Sequence, residues 1–125
     1  MSEQDMIQTI LLSVRGNFER DGKLDEVIIH RTPAGEIQSY KVPKELAPDI
    51  VLTGLAKLRE VSSFLAHIES FDDSTTVTIY EGVTTTVWVA DIEFSGLYPK
   101  LGEWQEQITV ESLGETMNIP SCILN

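Results

Sequence analysis

The sequence contains no lysine or arginine between Leu65 and Pro99, although nine such residues occur among its 125 positions. Residues 1–62 contain ten acidic and eight basic residues, a net charge of −2. Residues 63–125 contain ten acidic residues and Lys100 as their one base, a net charge of −9. A half-chain of this charge repels DNA, RNA and anionic lipid. We therefore expect no nucleic-acid partner and no membrane partner.

Cysteine is nearly absent, since Cys122 is the only one. A small domain that relies on disulfides needs cysteine pairs. No apolar run approaches the roughly 20 residues that span a bilayer. The opening segment MSEQDMIQ has two acidic residues and lacks the basic region of a secretory signal. These absences predict a cytoplasmic protein whose fold does not depend on disulfides.

Motifs for catalysis and metal binding are also missing. Neither His30 nor His67 has a cysteine or a second histidine at zinc-ligand spacing. Asp72 and Asp73 are not followed by the pattern of a calcium-binding loop, and no glycine-rich phosphate loop of standard spacing occurs. The sequence therefore predicts no metal, no cofactor and no enzymatic activity.

What the sequence does contain is enough apolar material, 42% of its residues, for one domain spanning residues 1–125. Apolar residues recur every three or four positions over residues 5–22 and again over residues 48–69. This spacing predicts two amphipathic helices, each burying one face. No internal repeat or linker divides the chain.

Segments rich in β-branched residues predict the strands. They are Val27–Ile29, Ile37–Val42, Thr75–Tyr80, Thr84–Phe94, Glu103–Glu111 and a short final strand at Ile119–Leu124. Turn signals at Thr32–Gly35 and at Glu81-Gly82 predict two hairpins. Because few helices separate the strands, we predict an α+β fold in the order α-β-β-α-β-β-β(-β) rather than a parallel α/β sheet. The expected architecture is a mainly antiparallel, twisted sheet of five or six strands with two helices on one face.

The long predicted strand Thr84–Phe94 alternates between apolar and polar positions. Its even positions from Trp88 to Phe94 are expected to face the core, and Asp91 and Glu93 to share the opposite face. A sheet covered on one side needs such polar positions, and exposure speaks against acid–base catalysis by the two carboxylates. Two interpretations of the charge remain: a general bias toward solubility, or a docking face for a cationic partner.

Aromatic residues occur among these acidic residues, at predicted strand ends and loops. Exposed rings framed by carboxylates can anchor and steer a basic protein. The alternative is that the rings cover the open edges of the sheet. The candidate partner-binding residues are Asp72, Asp73, Tyr80, Glu81, Asp91, Glu93, Tyr98, Glu103, Trp104 and Glu106.

In size, formal net charge of −11, predicted cytoplasmic location and lack of a catalytic motif, the whole chain resembles the small acidic immunity proteins of bacteria. The resemblance implies a protein-binding inhibitor that neutralises a cationic toxin or nuclease. Two other classes fit the sequence. One is a structural or adaptor subunit that forms a homo-oligomer, such as a homodimer, through Val87 and Val89. The other is a small-ligand-binding domain with a pocket between the sheet and the long helix.

Overall fold

A computed structural model describes residues 3–94 and 96–111 of the chain. Within these ranges the elements are α1 (Glu3–Asp21), β1 (Val27–Arg31), β2 (Ile37–Lys41), α2 (Pro48–Glu60), β3 (Phe64–Ser70), β4 (Ser74–Glu81), β5 (Thr84–Glu93), β6 (Lys100–Leu101) and β7 (Gln105–Glu111). The predicted α+β class and element order are confirmed. The strand predicted at Ile119–Leu124 lies outside the described residues. Neither helix in these ranges has the length and hydropathy that crossing a bilayer requires.

The strands form one antiparallel sheet in the order β2-β1-β3-β4-β5-β6, and β7 pairs with β5 as well. Both predicted hairpins are present. The β4–β5 hairpin is tight, with Glu81 opposite Thr84 and Gly82 at a φ of 56°. Because L-residues rarely adopt a positive φ, glycine suits this turn.

Helix α2 ends at Glu60, whereas the sequence pattern predicted a helix to residue 69. The Ser62 hydroxyl donates to the carbonyl oxygen of Leu58 at 2.5 Å, and the chain then enters β3. The first five residues of β3 are all buried. A strand buried on both faces has apolar residues at consecutive positions, and periodicity cannot distinguish such a run from a buried helix.

The two helices pack on opposite faces of the sheet, and the prediction of both on one face is wrong. The α1 core contains Met6, Ile7, Ile10, Leu11, Val14, Phe18, Phe64, Ala66, Ile68, Val77, Ile79, Ala90 and Leu101. The smaller α2 core contains Ile28, Val42, Leu55 and Leu65. Successive side chains of a strand point to opposite faces, so Ala66 faces α1 while Leu65 faces α2. A central strand that is apolar on both sides requires cover on both sides.

The even positions of β5 follow the predicted pattern up to the end of the strand. Ala90 is buried in the α1 core, and Trp88 and Ile92 pack against it. Phe94 is the exception, since it lies beyond the last residue of β5 and is exposed. The alternation that directs even positions to the core ends with the pairing at Glu93.

Candidate functional site

The turn between β3 and β4 lies beside the end of β5 at one end of the sheet. The amide N–H of Ile92 donates to the carbonyl oxygen of Asp73 at 2.8 Å. Strand β6 then pairs with β5 through Glu93 and Lys100. This pairing collects five exposed acidic residues, which we call the acidic end: Asp72, Asp73, Asp91, Glu93 and Glu103.

Three of these carboxylates line one groove of about 250 Å³. Asp91 and Glu93 occupy alternate positions of β5 and therefore share the face opposite the α1 core. Glu103 joins them from the connection between β6 and β7. A Cβ atom at Gly102 would stand 3.2 Å from Oε2 of Glu93, so the glycine leaves room for this carboxylate. The groove has the charge and the acceptors that a lysine or arginine side chain requires.

Exposed apolar side chains occur in two connections at the acidic end. Phe71 directly precedes Asp72, and the others follow Glu93 in the β5–β6 connection. Their exposed fractions are 51% for Phe71, 72% for Phe94, 91% for Leu97 and 71% for Tyr98. Tyr98 is one of the predicted contact residues, whereas Phe71 and Phe94 are not. The signal that could have indicated these two phenylalanines is an aromatic residue next to acidic residues in a loop. Several large apolar side chains exposed at one end of a sheet are typical of an interaction surface.

Two of the predicted acidic contact residues lie away from the acidic end. Glu81 pairs with Thr84 at the far end of the β4–β5 hairpin. Asp91 is seven positions along β5 from Thr84, which corresponds to about 24 Å at a strand's rise of about 3.4 Å per residue. Glu106 lies between two groove-lining glutamines of β7 and is directed away from the groove.

Tyr80 covers an edge of the α2 core. Its ring is half-buried beneath the guanidinium of Arg59, whose central carbon lies 4.6 Å from the ring centroid. Burial raises the pKa of the Tyr80 hydroxyl, and the nearby Arg59 charge opposes this rise in pKa. This placement favours the alternative role, cover for the sheet, over partner contact for this ring.

Trp104 likewise packs against the α1 core instead of extending into solvent. The segment before it is fixed by Arg15 of α1, which donates to the carbonyl oxygens of Leu101 at 2.5 Å and Gly102 at 2.6 Å. The indole N–H of Trp104 is buried, with no hydrogen-bond acceptor among the described residues. By packing against the core, Trp104 positions the start of β7, whose residues Gln105 and Gln107 line one side of the groove.

A second cavity, of about 450 Å³, lies between α1 and the β1–β2 side of the sheet. Apolar side chains such as Ile10, Val27 and Ile68 form much of its wall. Three exposed polar residues of α1 also line it, one turn apart along the helix: Thr9, Ser13 and Asn17. An apolar cavity with a few aligned polar groups has the character of a small-molecule site.

The chain matches no protein-family model, no curated protein and no solved structure.

Proposed function

We propose that this protein binds a basic protein partner through its acidic end. The observation that carries the proposal is that exposed aromatic side chains occur in connections at the same end of the sheet as the carboxylates of the acidic end. The charge accelerates the encounter with a cationic partner. The rings supply the apolar contact area that holds the complex together once it forms.

Within this class, we favour an immunity or inhibitor protein that neutralises a cationic toxin or nuclease. A nuclease needs a basic surface to bind the phosphates of its substrate. The acidic end offers carboxylates to the same basic side chains and can occupy that surface in place of the nucleic acid. Two bases lie close to these carboxylates: Lys100, which is opposite Glu93, and Arg15, which donates to the carbonyl oxygens of Leu101 and Gly102. The five carboxylates of the acidic end outnumber these two bases, so this surface keeps a net negative charge.

The charge contribution is tested by reversing two groove carboxylates, Asp91→Lys with Glu93→Lys. The first protein to test as a partner is the product of a reading frame next to this gene, chosen for a basic net charge. Surface plasmon resonance measures its association rate at about 50 mM and about 300 mM salt. We expect at least a tenfold slower association at low salt, because steering of this kind changes rates by about 10 to 1,000-fold.

The matched control makes the same change in net charge elsewhere. Glu45→Lys with Glu60→Lys alters two exposed residues around α2. This variant should bind nearly as fast as the wild type. Equal losses in the two variants would show that only the net charge matters, and no loss in either would refute steering.

The aromatic contribution is tested by Phe94→Ala with Tyr98→Ala. Both side chains are exposed, so their removal leaves the core intact. We expect faster dissociation and a loss of more than about 1 kcal/mol in binding free energy, as for interface anchors. Leu12→Ala, at an exposed position of α1, is the control. An unchanged dissociation rate in the double variant would exclude these rings from the interface.

The cavity beside α1 supports a second candidate function, the binding of a small apolar molecule. The pocket predicted from the sequence lies between the sheet and the long second helix, whereas this cavity lies against α1. Its volume falls within the range of about 300–1,000 Å³ that is usual for ligand sites. The fluorescent probe anilinonaphthalene sulfonate should bind the wild type but not Ser13→Trp, which fills the cavity mouth. Leu12→Trp is the control, and equal binding to all three proteins would exclude the site.

A further inference from the structure

The imidazole of His67 lies between two carboxylates on the α2 side of the sheet. Its Nε2 atom is 2.6 Å from Oε2 of Glu26, and its Nδ1 atom is 3.5 Å from Oε1 of Glu69. The ring is buried, whereas each carboxylate side chain is about one-third exposed. This cluster lies outside the acidic end and takes no part in the function proposed above.

Strand pairing fixes the three side chains relative to one another. His67 and Glu69 occupy alternate positions of β3 and therefore share one face. In the β1–β3 pair, Val27 is opposite Ile68. Glu26, which directly precedes β1, consequently lies next to Glu69. The ligand atoms of all three residues are within 4.8 Å of one another. No single stretch of the sequence contains them, so spacing could not identify the cluster.

The two short distances have different chemical meanings. The 2.6 Å separation between Nε2 and Glu26 is a hydrogen bond, and it requires the proton on Nε2 because a carboxylate only accepts. A neutral ring then presents its Nδ1 lone pair to the negative carboxylate of Glu69. A second proton on Nδ1 would give a hydrogen bond of 3.5 Å, longer than the usual 2.7–3.2 Å. The gap between Nδ1 of His67 and Oε1 of Glu69 therefore suits a metal cation better than a shared proton.

We propose that His67 and Glu69 bind a zinc ion in this gap. Zinc bonds to histidine nitrogen and carboxylate oxygen are about 2.0–2.2 Å long, which places two ligands of a tetrahedral ion about 3.4 Å apart. The observed 3.5 Å between Nδ1 and Oε1 matches this separation. Glu26 is the positioning residue, because a carboxylate on the far ring nitrogen orients a metal-binding histidine. Water completes the coordination from the exposed side.

Isothermal titration calorimetry of the full chain with Zn²⁺ tests the site. The wild type should bind one equivalent, and Glu69→Gln should weaken binding at least tenfold, because a carboxamide is a poor zinc ligand. Glu69 is partly exposed, so this variant retains the core. Glu60→Gln controls for the loss of one exposed acid, and Cys122→Ser for binding by the thiol. Asp91→Asn with Glu93→Gln controls for binding at the acidic end. All three controls should bind as the wild type does.

Nitrogen NMR of the His67 ring distinguishes coordination from a merely structural role. Zinc should shift the Nδ1 resonance strongly while Nε2 keeps its proton, and Glu26→Gln should weaken binding about 10–100-fold. Three results would overturn the proposal: no saturable binding, equal binding by Glu69→Gln and wild type, or a zinc-induced shift at Nε2 in place of Nδ1. The readouts involve no protein partner, so they are independent of the proposed function.

Discussion

The guanidinium of Arg59, near the end of α2, stacks over the ring of Tyr80 in β4 at 4.6 Å from its centroid. Its Nη2 atom also donates to the hydroxyl oxygen of Thr85 at 3.2 Å. One side chain thus connects the smaller helix to two strands of the sheet. The contact is partly shielded from water, where a cation–π interaction is stronger than at a fully exposed position.

Replacement of Arg59 should therefore loosen the attachment of α2. We expect Arg59→Gln to lower the free energy of unfolding by about 1 kcal/mol, the sum of a modest cation–π contact and one hydrogen bond. Urea denaturation measures the change. Lys57→Gln, at an exposed position of the same helix, is the control and should change stability by less than about 0.5 kcal/mol. Equal effects would show that the Tyr80 contact contributes nothing.

Stability should decline at alkaline pH because of Tyr80. Burial raises the pKa of this hydroxyl in the folded state. The unfolded chain loses the proton near pH 10 while the folded protein retains it. Stability is therefore complete below about pH 10 and decreases as pH rises toward the folded pKa. Tyr80→Phe should lose less stability than wild type between about pH 8 and about pH 10.5 in urea titrations. If Tyr80→Phe and wild type decline equally, the burial of Tyr80 is not the cause.

The two hydrogen bonds of Arg15 should hold β6 in place. Arg15→Met removes a charged donor from two backbone carbonyl groups, and we expect a loss of about 1–2 kcal/mol in unfolding free energy. Hydrogen exchange should also accelerate at the amide of Gly102, which donates to Asp91. Arg20→Met is the control, since Arg20 interacts only with its exposed neighbour Asp21 among the described residues. Unchanged exchange at Gly102 in Arg15→Met would contradict this role.

Substitution of two phenylalanines, one buried and one exposed, should have very different effects on folding stability. Phe64 is completely buried in the α1 core, and Phe64→Ala should destabilise the protein by about 3–5 kcal/mol through the loss of buried area and the cavity created. Phe94 is exposed, and Phe94→Ala should stay within about 0.5 kcal/mol of wild type. Thermal and urea unfolding provide the comparison. A large destabilisation by Phe94→Ala would mean that this ring packs within the fold.

The elements that follow one simple period were predictable from the sequence. Helix α1 buries the predicted stripe from Met6 to Phe18, and β4 alternates as expected. Strand β3 was not predictable, because burial on both faces removes the period of two on which strand prediction depends. The placement of the helices on opposite faces follows from the same strand and was missed for the same reason.

The candidate site was partly predictable, because charge is visible in the sequence while proximity is not. The acids of the β3–β4 turn and of β5 were identified, and strand pairing brings them together. Register places Glu81 at the opposite end of the hairpin, which composition cannot reveal. The pairing of β1 with β3 creates the cluster around His67 from residues about forty positions apart in sequence.

Because α1 and α2 cover opposite faces of the sheet, many strand side chains are buried in one core or the other. The proposed recognition therefore depends largely on side chains in connections and at strand ends. Residues such as Phe94 and Tyr98 contribute to neither core. Substitutions there can change which partner is bound, or how tightly, without a matching loss of folding stability. The same scaffold could thus diversify its specificity by small steps, each one tolerated by the fold that carries it.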